Sequence, residues 1–309
     1  MESRSIGSLQ VSVVGLGCNN FGRRLDADRT AAVVDAALDA GIDFFDTADL
    51  YGDGASEEFL GRALGSRRQR VSIATKFGHE SSVFGKGARP DHIRSALEGS
   101  LARLGTDYVD LYLVHQPDPE TPIADTLGVL DELVRAGKVR EIGCSNFSAE
   151  QLREAEAAVR PGAARFLSVQ NQYSLLDREP EEGVLQESER QGLGFLPWYP
   201  LASGLLTGKY HKGERPQSGR LSEGERYARF LTDEKLDLVE RLAAFAEGRG
   251  HTILELAVSW LLVRPTVASV IAGATKPEQV RANADAAGWR LSEEELAEVD
   301  RIVGANARK

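Results

Sequence analysis

The chain is poor in cysteine: only Cys18 and Cys144 carry thiols, far apart in sequence and outside any CxxC pattern. Two thiols cannot build a disulfide framework, so a reducing, cytoplasmic compartment is expected. The five histidines, at 79, 92, 115, 211 and 251, show no HxxxH or similar spacing, and no metal site is expected. Net positive charge is missing too: 37 Lys and Arg against 47 Asp and Glu leave −10. That excludes a protein coating duplex nucleic acid, which needs a basic face for the phosphates. Long apolar runs are also lacking. The opening MESRSIGSLQ has no apolar core of signal-peptide length, and the apolar stretch 257–263 is broken by Ser259. Both fall short of the roughly 20 residues that cross a bilayer, so no membrane partner is expected.

What is present is a regular alternation of β-rich runs and amphipathic helices over 309 residues. Strands are expected at 11–16, 42–45, 71–76, 109–115, 139–144, 167–170, 195–198 and 268–271. Several, such as VDLYLVH and ASVIAG, are nearly all apolar, the pattern of parallel strands buried on both faces. Between them the spacing turns helical. Ile93, Leu97, Leu101 and Leu104 share a face, with Pro90 at the start and Gly105 past the end. Ser148–Gln151, Thr275–Glu278 and Ser292–Glu295 read as capping boxes, and Gly41, Gly65 and Gly137 as helix C-caps. Gly7-Ser8 between two short alternating runs predicts an N-terminal hairpin. The long gap between 195 and 268 holds a polar, Gly-rich loop at about 202–232, then helical stretches at 233–248 and 252–263. No linker divides the chain, so 1–309 reads as a single domain.

Eight strands alternating with helices fit a (β/α)8 barrel or a doubly wound sheet. The doubly wound fold should carry a phosphate-binding glycine fingerprint after its first strand. Here Gly15-Leu16-Gly17 begins well, but Asn20 stands where the third glycine should be. No Walker A lysine motif follows, Ser145 lies in GCSNF rather than GxSxG, and the acidic stretch from Asp49 ends on Leu60 where an EF-hand needs a glutamate. These mismatches favour a (β/α)8 TIM barrel with an N-terminal β-hairpin and extra C-terminal helices.

Barrel enzymes build their sites at the C-terminal ends of the strands. Those positions are polar here: Asn19 and Asn20, Asp46 and Thr47, Lys76, His115, Ser145 and Asn146, Gln170 and Asn171, Trp198 and Tyr199. Buried charges persist only when paired, so Asp46 and Lys76 should touch. Tyr51, five residues after Asp46, adds a proton donor. A phenol near pH 10 is a poor neutral-pH acid, and an adjacent ammonium is expected to lower its pKa. Taken singly, each residue also has a structural reading, as an ion pair at a barrel rim or a satisfied histidine.

Seven segments in order, FFDTADLYGDGASEEFLGRAL (44–64), ATKFG (74–78), DLYLVHQPD (110–118), IGCSNF (142–147), VQNQYSLLDR (169–178), PLASGLLTGKY (200–210) and GATKPEQVRAN (273–283), resemble the aldo-keto reductase family over nearly the whole chain. The likeness is closer to the bacterial branch resembling potassium-channel β subunits than to steroid reductases. It implies an NADPH-dependent oxidoreductase that reduces aldehydes or ketones to alcohols by hydride transfer. Its catalytic tetrad falls on Asp46, Tyr51, Lys76 and His115, with Tyr51 as general acid, Lys76 lowering its pKa, Asp46 bracing the lysine and His115 orienting the carbonyl.

The resemblance also implies a nicotinamide site made by Asn19, Asp46, Ser145, Asn146 and Gln170, with Trp198 stacking on the ring. Tyr199, Pro200, Leu201, Ala202 and Ser203 would wrap the pyrophosphate, and Gly273, Thr275, Gln279 and Asn283 the adenine end. Lys209 and Arg220, with Lys276 as a third cation, match positions that hold a 2′-phosphate, whereas Gln279 replaces an arginine of the steroid-reductase branch. NADPH is therefore expected ahead of NADH. The tail at 305–309 is too short to cover the site, which leaves an open mouth with Phe21, Tyr51, Phe84 and Trp198 as expected walls. The partner is then a small-molecule carbonyl substrate. Two other readings compete: an NADP(H)-binding regulatory subunit with weak catalysis, and a lyase barrel forming a Schiff base on Lys76.

Overall fold

The computed structural model describes residues 1–81, 83–213, 221 and 231–304. The chain opens with β1 (Ser3–Ile6) and β2 (Leu9–Ser12), an antiparallel hairpin turning at Gly7 with φ of 56°. The run expected as one strand at 11–16 is split. Ser12 ends the hairpin because its Oγ donates to Val14 O and its N–H to Asp43 Oδ1. β3 (Val14–Gly17) then starts a parallel sheet.

Seven further strands complete that sheet: β4 (Phe44–Asp46), β5 (Ser72–Phe77), β6 (Val109–Val114), β7 (Val139–Ser145), β8 (Phe166–Gln172), β9 (Gly194–Trp198) and β10 (Val270–Gly273). From β3 to β9 each strand pairs with the next in sequence, and β10 returns to β3. The last seam closes where Phe195 N–H donates to Thr266 O at 2.7 Å and Ala268 N–H donates to Phe195 O at 2.9 Å. The result is the expected barrel.

Helices surround it: α1 (Ala27–Asp39), α2 (Ala55–Leu64), α3 (Pro90–Leu104), α4 (Ile123–Arg135), α5 (Ala149–Ala158), α6 (Val184–Gln191), α7 (Asp233–Glu247), α8 (Ile253–Leu262), α9 (Pro277–Asp285) and α10 (Glu293–Gly304). α3 buries Ile93, Leu97, Leu101 and Leu104 and ends on left-handed Gly105. The boxes at Ser148–Gln151 and Ser292–Glu295 form, and an unforeseen one at Thr252–Glu255 opens α8. Thr275 does not cap. Pro277 takes the first helical position, which suits a residue without an N–H, so Lys276 becomes the cap. Thr275 instead donates its N–H to Gln279 Oε1 at 2.8 Å.

The pleat decides which side chains reach the barrel interior. Phe44, Ala74, Leu111 and Leu113 form the inner core with Leu196 and Ile271, whereas Phe45, Ile73, Tyr112 and Val114 join the outer core under the helices. Ile6, Leu9 and Val11 of the hairpin belong to the inner cluster, so β1 and β2 plug the N-terminal end. Two residues beyond Phe44 and Ala74 come Asp46 and Lys76 on the same inner face, at the other end.

α2 and α3 approach closely because Gly61 lacks a side chain: a Cβ there would lie 2.2 Å from Leu104 O. Gly61→Ala is expected to cost more than about 2 kcal/mol, since backbone must move. Gly128→Ala, in open space on α4, should be neutral or gain up to about 1 kcal/mol. Thermal midpoints by circular dichroism compare the two; equal midpoints would refute the close contact.

Candidate active site

Successive strands bring one polar group each to the open end of the barrel. The pairs Gly17–Asp46, Ser145–Gln170 and Gln172–Trp198 lie in register on neighbouring strands. Asp46 leaves β4 into a loop that runs beside β5, fixed by Thr47 N–H to Ala74 O at 2.8 Å and Asp49 N–H to Lys76 O at 3.2 Å. This path carries Tyr51 back over Lys76. The chain turns immediately afterwards at Gly52, φ 60°, where a Cβ would sit 2.9 Å from Phe21 O.

Lys76 has no exposed surface. Its Nζ donates to Asp46 Oδ2 at 2.8 Å and to Thr47 O at 2.7 Å, and lies 3.5 Å from the Tyr51 hydroxyl. Burial alone would favour the neutral amine, but the Asp46 carboxylate and the Tyr51 oxygen outweigh it and raise the Lys76 pKa. The other Asp46 oxygen, Oδ1, accepts from Gln170 Nε2 at 2.9 Å. Asp46, Tyr51 and Lys76 thus meet as expected.

The Tyr51 pKa departs from expectation. It is raised, because burial outweighs the opposing attraction of Lys76. The reason is geometric: the ammonium makes its short hydrogen bonds to Asp46 and Thr47 and only a long one to the phenol. Tyr51 is therefore protonated at neutral pH, with a cation beside its oxygen.

His115 follows β6, and its ring lies 6.0 Å from that of Tyr51. Burial, then the charge of Lys76, push its pKa well down, so the imidazole is neutral. Its Nδ1 is buried with no hydrogen-bond partner among the described residues.

A second set of polar residues continues around the rim. Ser145 Oγ donates to Gln170 O at 2.8 Å, and Asn146 Nδ2 to His115 O at 2.9 Å. Trp198 Nε1 donates to Asn146 Oδ1 at 3.2 Å, and the Trp198 and Tyr199 rings meet edge to face. Asn146, Tyr199, Ala202 and Ser203 all have positive φ, an uncommon backbone for these residues and one that gathers at binding loops. Pro200 and Leu201, within this curl, are buried. Lys209 is exposed and packs against it, its Nζ 5.0 Å from the Tyr210 ring centre and within 3.3 Å of where a Gly204 Cβ would be.

The end of β10 lies beside the loop after β3, with the space at Gly273 bordered by Asn19 and Asn20. Gln279 is exposed and Asn283 buried on α9. Arg220 lies outside the described residues, as does the tail at 305–309. Of the expected walls, Phe21 is wholly buried in the outer core and forms none, and Phe84 stacks on Arg103 at 4.6 Å.

Sequence reasoning missed a charge cluster behind Tyr51. Glu57 on α2 is completely buried, accepting from Thr75 Oγ1 and from Arg103 Nε at 2.7 Å. Asp49 is buried near it. Burial, then the Glu57 carboxylate, raise the Asp49 pKa to about 7 against the Leu50 N–H, Arg103 and Lys76. The signal was visible as acids at 49 and 57 flanking Tyr51, but only the fold brings Arg103 to them.

Comparison with known proteins finds relatives along nearly the whole chain. The model of the aldo/keto reductase family matches residues 13–303. A probable voltage-gated potassium channel β subunit of Oryza sativa is 38% identical over 92% of this chain and 90% of its own length. Aldo-keto reductase YhdN of Bacillus subtilis is 36% identical, covering 98% and 94%. The structure of a glycerol dehydrogenase from Gluconobacter oxydans superposes with a TM-score of 0.86 at 31% identity, covering 99% and 96%.

The Asp49 shift has a consequence for stability. Because its folded pKa lies above the unfolded value, the native state holds an extra proton between about pH 4 and 7. Stability from this group is full below that window and is lost as pH rises through 7. Asp49→Asn should remove the loss, gaining about 1–3 kcal/mol on wild type between pH 5 and pH 8. Parallel pH dependences of the two thermal midpoints would contradict the buried carboxyl.

Proposed function

Since the chain belongs to the aldo/keto reductase family and is an oxidoreductase, we propose that it reduces aldehydes or ketones to alcohols with NADPH, ahead of NADH, using Tyr51 as proton donor. The observation that carries this reading is the buried Lys76 ammonium, held by Asp46 beside a protonated Tyr51 and a neutral His115.

The residues present fit a nicotinamide cofactor. Gln170 commits its Nε2 to Asp46, which leaves its carbonyl end to accept from a carboxamide. Ser145 and Asn146 flank it, and Trp198 is held by its indole N–H against Asn146 as a flat apolar surface. The positive-φ curl at Tyr199, Ala202 and Ser203 is the backbone form that gathers N–H groups around phosphate, with Lys209 alongside. When bound, the cofactor supplies a hydride to the carbonyl carbon.

The protein's part is the oxygen. Negative charge grows there in the transition state, and groups aimed at it act selectively on that state. His115, neutral, donates a ring N–H hydrogen bond that places the carbonyl. Tyr51 gives its hydroxyl proton to the developing alkoxide. Lys76 then lies beside the resulting phenolate and stabilises it, while Asp46 and Thr47 O keep the ammonium fixed. The same raised Lys76 pKa argues against a Schiff-base lyase, which needs the neutral amine. The cytoplasm, where NADPH is supplied and thiols stay reduced, is the compartment this reading assigns.

NADPH oxidation followed at 340 nm with 4-nitrobenzaldehyde tests the activity. Tyr51→Phe should lower kcat by about 10²-fold or more while NADPH affinity by fluorescence titration changes little; an unchanged rate would refute the acid role. Nucleotide binding without turnover across an aldehyde panel would favour the regulatory-subunit reading instead. Neutralising Lys209 together with Arg220 should weaken NADPH about tenfold or more relative to NADH. Equal losses for both nucleotides would show that these cations do not meet the 2′-phosphate.

A further inference from the structure

We propose that Glu57 is a positioning residue for proton transfer: through Thr75 it fixes the helix turn behind Tyr51 to the strand that carries Lys76, and so sets the distance between phenol and ammonium. This rests on the reductase reading above and deepens it.

The turn after Tyr51 leads directly into α2. Ser56 N–H donates to Tyr51 O at 3.1 Å, so the first turn of the helix holds the backbone of the proton donor. Ser56 is buried, and its Oγ donates to Cys18 O at 3.0 Å while accepting from Thr47 Oγ1 at 2.8 Å. This fixes the turn to the exits of β3 and β4. Glu57, the next residue, makes the link to β5. One carboxylate oxygen accepts from Thr75 Oγ1 and the other from Arg103 Nε at 2.7 Å. Thr75 is followed by Lys76, whose Nζ lies 3.5 Å from the Tyr51 hydroxyl. A closed ring of contacts therefore runs from Tyr51 through Ser56, Glu57, Thr75 and Lys76 back to Tyr51.

A carboxylate buried at this depth is costly unless paired, and Arg103 supplies the opposite charge. The charged and titratable groups facing Glu57 are Asp49 from the loop, Arg103 from α3 and Tyr112 from β6. Those acting most strongly on the Tyr51 proton are Lys76, Asp46 and Tyr199. Glu57 thus reaches Tyr51 through position, not through its own charge. Position matters because the Tyr51–Lys76 contact is long before reaction and strengthens as the phenol gives up its proton. A neutral phenol gains little from a nearby ammonium, whereas a phenolate gains much. Freeing the turn from β5 lengthens that contact. The loss then falls on proton transfer rather than on binding of substrate or cofactor.

The test follows single-turnover NADPH oxidation with saturating 4-nitrobenzaldehyde between about pH 6 and 11, in wild type, Thr75→Val and Thr75→Ser. Valine has the shape of threonine without the hydroxyl, and it leaves the Glu57–Arg103 pair in place. Thr75→Val should slow the rate about tenfold, with aldehyde KM and NADPH affinity by fluorescence titration within about twofold of wild type. Its alkaline limb, where Tyr51 loses its proton, should move up by about one pH unit, because a phenolate stabilised about tenfold less forms at higher pH. Thr75→Ser, which keeps the hydroxyl, should recover both rate and limb. Glu57→Ala should slow the rate and move the limb in the same way, and adding Thr75→Val to it should slow it no further. Because Glu57→Ala also strips Arg103 of its carboxylate, circular dichroism checks its fold and the threonine variants carry the decision. A Thr75→Val enzyme with wild-type rate and limb, or one slowed at an unchanged limb, overturns the positioning role while leaving the reductase standing. A Thr75→Ser enzyme as slow as Thr75→Val does the same. A wild type that oxidises no NADPH with any aldehyde overturns the reductase reading itself, and the role of Glu57 with it.

Discussion

A lysine with no exposed surface governs this site. Removing an ammonium from water costs several kcal/mol unless opposite charge and hydrogen bonds replace the solvent. Lys76 therefore dictates its surroundings: a carboxylate at 2.8 Å, the Thr47 carbonyl at 2.7 Å, and the phenol of Tyr51 at the limit of hydrogen bonding. Asp46 is constrained in turn, since Gln170 from the far side of the barrel holds its second oxygen. The chain of contacts then runs through Ser145 and Asn146 to Trp198, so the Asp46–Lys76 pair and the rim residues after β7 and β9 share one hydrogen-bonded frame.

Strand pleating sets up a second network next to the first. Thr75 and Lys76 are consecutive on β5, so their side chains point to opposite faces. Lys76 enters the barrel, while Thr75 reaches outward to Glu57, which is paired with Arg103. The loop from Asp46 to Tyr51 lies between these two buried charge systems, and Asp49 within it meets the outer one. Tyr51 is thus placed by charge on both sides, and the hairpin plug ensures that polar chemistry has only one end of the barrel to occupy.

Much of this was legible in the residues. Alternating apolar runs and helical spacing mark the eight strands and the helix faces, and the positions at the strand ends point to Asp46, Lys76, His115, Ser145, Asn146 and Gln170. These signals are local: a period of two or of 3.6 residues, a cap, a polar residue ending an apolar run. The errors arose where local rules competed. Thr275 has the sequence of an N-cap but yields to the helix start at Pro277, and the run at 11–16 is broken by the side-chain hydrogen bonding of Ser12. Phe21 follows a strand end like a wall residue, yet it points into the outer core.

By itself, the sequence determined the barrel, its N-terminal hairpin and the inventory of chemically able side chains, because periodicity and residue type need no partners. Tertiary structure alone decided how those groups behave. Tyr51 is raised rather than lowered because burial and a long contact to an already paired ammonium depend on distances no spacing encodes. The Asp49 pKa is raised to about 7 because the fold buries it and then because α2 brings Glu57 to it, and His79 stands beside His115 because a left-handed glycine turns β5 there. Proton affinity and proximity arise from desolvation and from charges far apart in the chain, and both exist only once the barrel has closed.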